Sequence, residues 1–291
     1  MDITIALGGG GAKGNAHVGV LRRLEKEGFR IRAVAGTSFG GIVAALYAAG
    51  YSPREIEERF NQVDQTKLYG RRPHDGPSLM GVAGVHGWLD QTLGERTFGE
   101  LKIPCALTAV DLNSAREIVL SEGRVKDAVL ATIALPAIFP TVRIKDYELV
   151  DGGVLDPVPV SVARSLAPHL PVVAVVLNSP LGRTSKMLST SIPGVPSPIV
   201  RGLTRMRIAQ AFNIFIRSVE IGSREIGELR LRVDAPDVII RPDVGHIQLL
   251  DRVDVRQVAR LGDQAVEAAL PELKRAVSWP RRLRRRIFRV K

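Results

Sequence analysis

Cysteine is almost missing from this chain. The one thiol, Cys105, lies in the apolar run 103–107, so no disulfide can close within the chain, and a buried, inert thiol in a reducing compartment is the expectation. Long apolar runs are missing as well: none approaches the eighteen or so residues of a membrane span, which excludes a helical membrane protein. The opening Met1-Asp2-Ile3-Thr4-Ile5 has no basic segment and reads at once as a strand, so no secretory leader and a cytoplasmic location are expected. His, Cys and carboxylates nowhere cluster with ligand spacing, so neither metal nor cofactor is expected. What remains is a chain of 291 residues, 45% hydrophobic and 24% charged, ample for one large core. One domain over residues 1–278 and a basic tail over 279–291 are expected.

The net charge of +11 is concentrated in that tail. Arg281, Arg282, Arg284, Arg285, Arg286, Arg289 and Lys291 carry seven of these charges with no acid among them, and the body keeps only +4. That is too little for a large nucleic-acid footprint, and no specific nucleic acid is expected as a partner. Leu283, Ile287 and Val290 share one helical face, with Trp279 and Phe288 adding bulk. The pattern predicts a segment lying on an anionic membrane at its inner face, against competing readings as a solvated tail or a nonspecific nucleic-acid contact.

Two glycine-punctuated turns dominate the first fifty residues. In Gly36-Thr37-Ser38-Phe39-Gly40 a strand-like run, 31–35, meets a helical one, 41–49, so the pentapeptide reads as a nucleophile elbow. Its serine also fits a simple helix N-cap. Upstream, the strand 3–7 enters Gly8-Gly9-Gly10-Gly11-Ala12-Lys13-Gly14, which fits the dinucleotide fingerprint but lacks the ribose-binding acid at the end of the second strand. A P-loop fails because Gly14 follows Lys13. A backbone-amide cradle for an oxyanion remains, and a nucleotide-binding or non-catalytic basic binding module is the alternative.

Further along, Ser52-Pro53-Arg54-Glu55 predicts a capped helix to about Asn61, and Gly50 a helix C-terminus. Residues 65–95, broken by glycines and prolines, read as connecting loop or site cover. Strands are expected at 103–110, 117–120, 147–150, 172–177 and 237–242, and helices at 125–133, 200–221 and 253–270. The 200–221 helix is expected to face the core through Leu203, Met206, Ala209, Phe212, Ile216 and Val219, and residues 179–198 read as a loop rich in Ser, Pro and Gly. Asp151-Gly152-Gly153 closes a strand and by itself reads as a turn. A Ser–Asp–His triad would require His169 or His246, since His17, His74 and His86 precede Asp151.

Taken together, the Gly9–Gly14 loop, Gly36–Gly40, Ala134-Leu135-Pro136-Ala137-Ile138-Phe139-Pro140 and Asp151-Gly152-Gly153 resemble the patatin-like phospholipase family, whose members use a Ser–Asp dyad. The resemblance spans roughly residues 1–250. It implies an α/β three-layer sandwich with a mostly parallel central sheet and an acyl hydrolase of lipid esters. In that reading Ser38 is the nucleophile, Asp151 the base, and the amides of Gly9, Gly10 and Gly11 the oxyanion hole. Lys13, Gly14, Gly36, Gly40, Gly152 and Gly153 support the motifs. One departure is Asp156, where the family pattern leads us to expect asparagine.

Overall fold

The computed structural model describes residues 1–71, 76–178 and 203–278, with the side chains of 203–213 left aside. Its elements in chain order are β1 (Asp2–Leu7), α1 (Ala16–Lys26), β2 (Arg30–Thr37), α2 (Phe39–Ala48), α3 (Pro53–Gln62), α4 (Ala83–Thr92), β3 (Cys105–Asp111) and β4 (Arg116–Leu120). There follow α5 (Val125–Thr132), β5 (Val142–Ile144), β6 (Tyr147–Asp151), α6 (Val160–Leu166), β7 (Val172–Val175), α7 (Leu203–Asp234), β8 (Val238–Ile240) and α8 (Val255–Ala276). His74, the 179–198 loop and the 279–291 tail lie outside the described residues.

Among the described residues eight strands form one sheet in the order β5-β6-β3-β2-β1-β7-β8, with β4 also paired to β3. The run β3-β2-β1-β7-β8 is parallel, while β4 and β6 join β3 antiparallel. Strand alternation divides the core. Ile3, Ile5 and Leu7 of β1 pack on one face with residues of α1, α2, α3, α5 and α8. On the other face Ala6, Ala35, Ala106 and Ala174 stand side by side across four paired strands. This row of small residues lets α6 lie close to the sheet, and Leu231 of α7 packs on the same face. The α/β sandwich with a mostly parallel sheet and helices on both sides is thus the observed fold.

Three expectations are corrected. The stretch 65–95 contains a helix, α4: Gly84, read as a break, lies so near the Lys67 carbonyl that any side chain would collide with it. The closing helix runs through Pro271 to Ala276 because Leu273 and Ala276 beyond the proline are buried. The 200–221 helix continues to Asp234; of the six residues expected to face the core, Ile216 and Val219 have described side chains and are half-buried.

Candidate active site

Parallel pairing of β1 with β2 brings the glycine loop and the elbow to the same edge of the sheet, Leu7 standing opposite Gly36. At the elbow the chain turns from β2 into α2 within one residue. Ser38 has φ 55° and ψ −128°, outside the regions a serine adopts freely. The conformation is held by Thr132 at the end of α5, whose Oγ1 accepts the Ser38 N–H at 2.9 Å. Neighbouring glycines are required sterically. A Cβ on Gly36 would lie 2.5 Å from the Gly40 carbonyl oxygen, and one on Gly40 would strike the carbonyls of Leu7 and Gly8.

The glycine loop is secured from several sides. His17, fully buried on α1, donates from Nε2 to the Gly8 carbonyl at 2.7 Å. Burial pulls its pKa down to about 4, only partly offset by that bond, so the ring is neutral. Gly9 donates its amide to Pro157 O at 2.9 Å, and Ala12 donates to Leu249 O at 2.9 Å. Gly9 therefore does not offer a free amide, a correction to the expectation of three donors. The amides of Gly10, Gly11 and Phe39 have no acceptor among the described residues. Gly14 leaves room for the Phe39 ring, and the buried Lys13 pairs with Glu220 of α7 at 3.5 Å.

Asp151 arrives from the opposite direction. β6 runs antiparallel to β3 and sets Asp151 opposite Ala109, with its amide bonded to Ala134 O at 2.9 Å. Asp151 is 3% exposed, lines the same cavity as Ser38, and its carboxylate accepts the Gly153 N–H at 2.7 Å. Burial pushes its pKa up to about 6, against the lowering effect of Ser38 and Gly153. Gly152 allows the turn after it to press on Thr108.

Ser38 and Asp151 face a cavity of about 240 Å³ walled mainly by apolar side chains. Phe39, Phe60 and Trp88 form a ladder with ring centres 5.3 and 5.7 Å apart, and Tyr69 stacks on Phe139 at 5.5 Å. Ile216, Val219 and Ser223 of α7 close another side. No histidine lines the cavity among the described residues, and both His169 and His246 are exposed. The arrangement can hold an extended apolar group against a serine that shares the cavity wall with the Asp151 carboxylate. Residue patterns pointed to Ser38, the loop and Asp151. They gave no sign of Thr132 or His17, whose roles depend on contacts 94 and 9 residues away in sequence.

The family model described as "Patatin-like phospholipase" matches residues 5–164. The chain is 31% identical over 179 residues to an uncharacterized NTE family protein of Mycobacterium tuberculosis, covering 60% of this chain and 49% of that protein. It is 33% identical over 192 residues to the uncharacterized protein YqhO of Bacillus subtilis, covering 55% and 66%. With patatin-like phospholipase domain-containing protein 6 of Homo sapiens the identity is 28% over 171 residues, covering 56% and 12%. The chain thus spans about half the length of the mycobacterial relative and a small part of the human one. Among solved structures, VipD from Legionella pneumophila superposes with a TM-score of 0.50 at 12% identity, covering 93% of this chain and 66% of that one, a likeness of fold.

Proposed function

This chain belongs to the patatin-like phospholipase family, and from that premise we propose that it is a serine hydrolase of lipid acyl esters, of phospholipase A or lysophospholipase type, working through a Ser38–Asp151 dyad. The observation that carries the reading is the placement of a serine in a strained turn and a buried carboxylate with a raised pKa together at the wall of one apolar cavity. In the mechanism, Ser38 Oγ attacks the ester carbonyl while the Asp151 carboxylate takes its proton. The tetrahedral oxyanion is held by backbone amides, for which those of Gly10 and Gly11 are open. Collapse expels the alcohol, which recovers the proton from Asp151. Water then attacks the acyl-enzyme with Asp151 again as base. A carboxylate raised to about 6 is a stronger base than an ordinary one and still ionised at neutral pH. The aromatic ladder supports an acyl chain as substrate.

Nucleotide binding has less behind it, since loop amides that a pyrophosphate requires are taken by Pro157 and Leu249. Labelling with a fluorophosphonate tests the proposal. Wild type should react, Ser38→Ala should not, and Asp151→Asn should react far more slowly; equal labelling of Ser38→Ala removes Ser38 as nucleophile.

No helix among the described residues is long and apolar enough to cross a membrane. The tail with Arg281 to Lys291 is proposed as a separate segment that holds the enzyme at the anionic inner face of the cell membrane, each basic residue adding up to about 1 kcal/mol before salt screening. Deleting residues 279–291 should weaken sedimentation with anionic vesicles at low salt while a soluble ester is hydrolysed as before. Unchanged sedimentation would exclude the tail as anchor.

A further inference from the structure

The turn that opens at Asp151 ends at Asp156, and the surroundings of Asp156 are unusual for an interior. Its carboxylate is fully buried and lies beside that of Glu117 on β4, whose charge disfavours its ionisation. One guanidinium serves both: Arg230 Nη2 on α7 lies 3.0 Å from Asp156 Oδ2 and 3.1 Å from Glu117 Oε2. Asp234, one helical turn on, stands 3.6 Å from Arg230 Nε. Asp156 Oδ1 and Glu117 Oε1 are buried with no ordinary donor among the described residues. Two neighbouring carboxylates, one of them fully buried, do not both keep full charge, and a proton held between them offsets their repulsion.

The backbone of Asp156 ties this cluster to the site. Its carbonyl accepts the Thr37 hydroxyl at 2.9 Å, one residue before Ser38, and its amide donates to Gly152 O at 2.8 Å, one residue after Asp151. On the far side of the cluster, α7 lines the cavity through Ile216, Val219 and Ser223.

We infer that Asp156, Glu117 and Arg230 form a proton-sharing clasp that fastens α7 beneath the Ser38–Asp151 pair, making Asp156 a positioning residue for the reaction. The inference rests on the hydrolase reading above. An asparagine at this position would bond to Glu117 and have no proton to lose; the aspartate makes the clasp titratable. Burial first, and Glu117 next, push Asp156 up to about 7, with Arg230 opposing. Once the shared proton leaves, Asp156, Glu117 and Asp234 surround one arginine and the clasp loosens. Turnover then falls on the alkaline side.

The test compares full-length wild type, Asp156→Asn, Glu117→Gln and Ser38→Ala in hydrolysis of p-nitrophenyl butyrate, together with melting temperatures, over about pH 5 to about pH 9. Wild type should rise through the ionisation of Asp151 and then lose kcat severalfold above about pH 7, while the stability the shared proton contributes is lost between about pH 4 and about pH 7, so its melting temperature falls over that range by more than Asp151 alone accounts for. In Asp156→Asn and in Glu117→Gln alike the alkaline fall in kcat should vanish and the melting temperature should fall less between about pH 4 and about pH 7, because either change removes the second charge. Profiles of the same shape as wild type in both variants overturn the clasp. Activity that survives in Ser38→Ala instead sinks the hydrolase reading, and the melting curves, which need no turnover, still decide the clasp.

Discussion

Replacing Asp151 by asparagine separates what the carboxylate contributes to the reaction from what it costs the fold. Burial holds this carboxyl at about 6, against an ordinary 3.8, even though Ser38 and Gly153 both favour the charged form. At about 1.4 kcal/mol per pH unit, the folded protein disfavours the ionised form by about 3 kcal/mol. The folded-state pKa is the raised one, so the stability this group contributes is fully present below about 3.8 and is lost as pH climbs through about 6. Asparagine cannot ionise, and its Oδ1 can still accept the Gly153 N–H. Asp151→Asn is therefore expected to be more stable than wild type by up to about 3 kcal/mol near pH 8, on the order of 5–10 °C in melting temperature, with the gap closing towards about pH 4. Asp156, also raised, is common to both proteins and drops out of the difference. Ester hydrolysis should meanwhile fall by roughly three decades or more. Differential scanning fluorimetry over this pH range, beside a soluble-ester assay, reads both effects. Parallel melting curves at every pH refute the burial argument, and a wild-type kcat that is flat from about pH 5 to about pH 7 refutes Asp151 as the base.

Thr132→Val removes the acceptor of the Ser38 amide and keeps the side-chain shape, so about 1–3 kcal/mol of stability should be lost in urea unfolding, with Thr132→Ser recovering most of it. A Thr132→Val protein as stable as wild type would mean that the elbow holds its strained conformation without this bond. Gly10→Ala places a Cβ about 3.0 Å from the flexible Leu177 side chain rather than against backbone. Folding should survive, while kcat drops about a hundredfold if the loop amides hold the oxyanion, and undiminished turnover would take Gly10 out of that role.

The parts of the site that could be read from sequence are those where chemistry and backbone geometry coincide within a few residues. Gly36 and Gly40 bracket Ser38 because no side chain fits where the chain doubles over the Leu7–Gly8 backbone, and that steric demand is written locally. The parallel strands were readable for a similar reason, since burial on both faces leaves near-continuous apolar runs such as 172–177. Asp151 was different: an aspartate before two glycines reads as a turn, and only its company with the other motifs gave it weight. Helix α4 was hidden because the glycine that brings it against Lys67 is the same residue type that breaks helices elsewhere. His17 was set aside on chain order, an argument that concerns triads and is silent on a neutral ring bracing the Gly8 carbonyl.

The Asp156 cluster lay furthest out of reach. Its members come from β4, the turn after β6 and the C-terminal half of α7, separated by 74 and 113 residues from Arg230, and no periodicity links them. In sequence the clue was a single substitution, an acid where an amide was expected. An acid in a wholly buried position has to find a cation or a proton, and here it finds some of each. The same low dielectric that raises Asp151 into the range of a useful base thus also raises Asp156, one turn away on the same loop. Rate and helix attachment are therefore expected to respond to pH in opposite senses, and the working range lies between the two titrations.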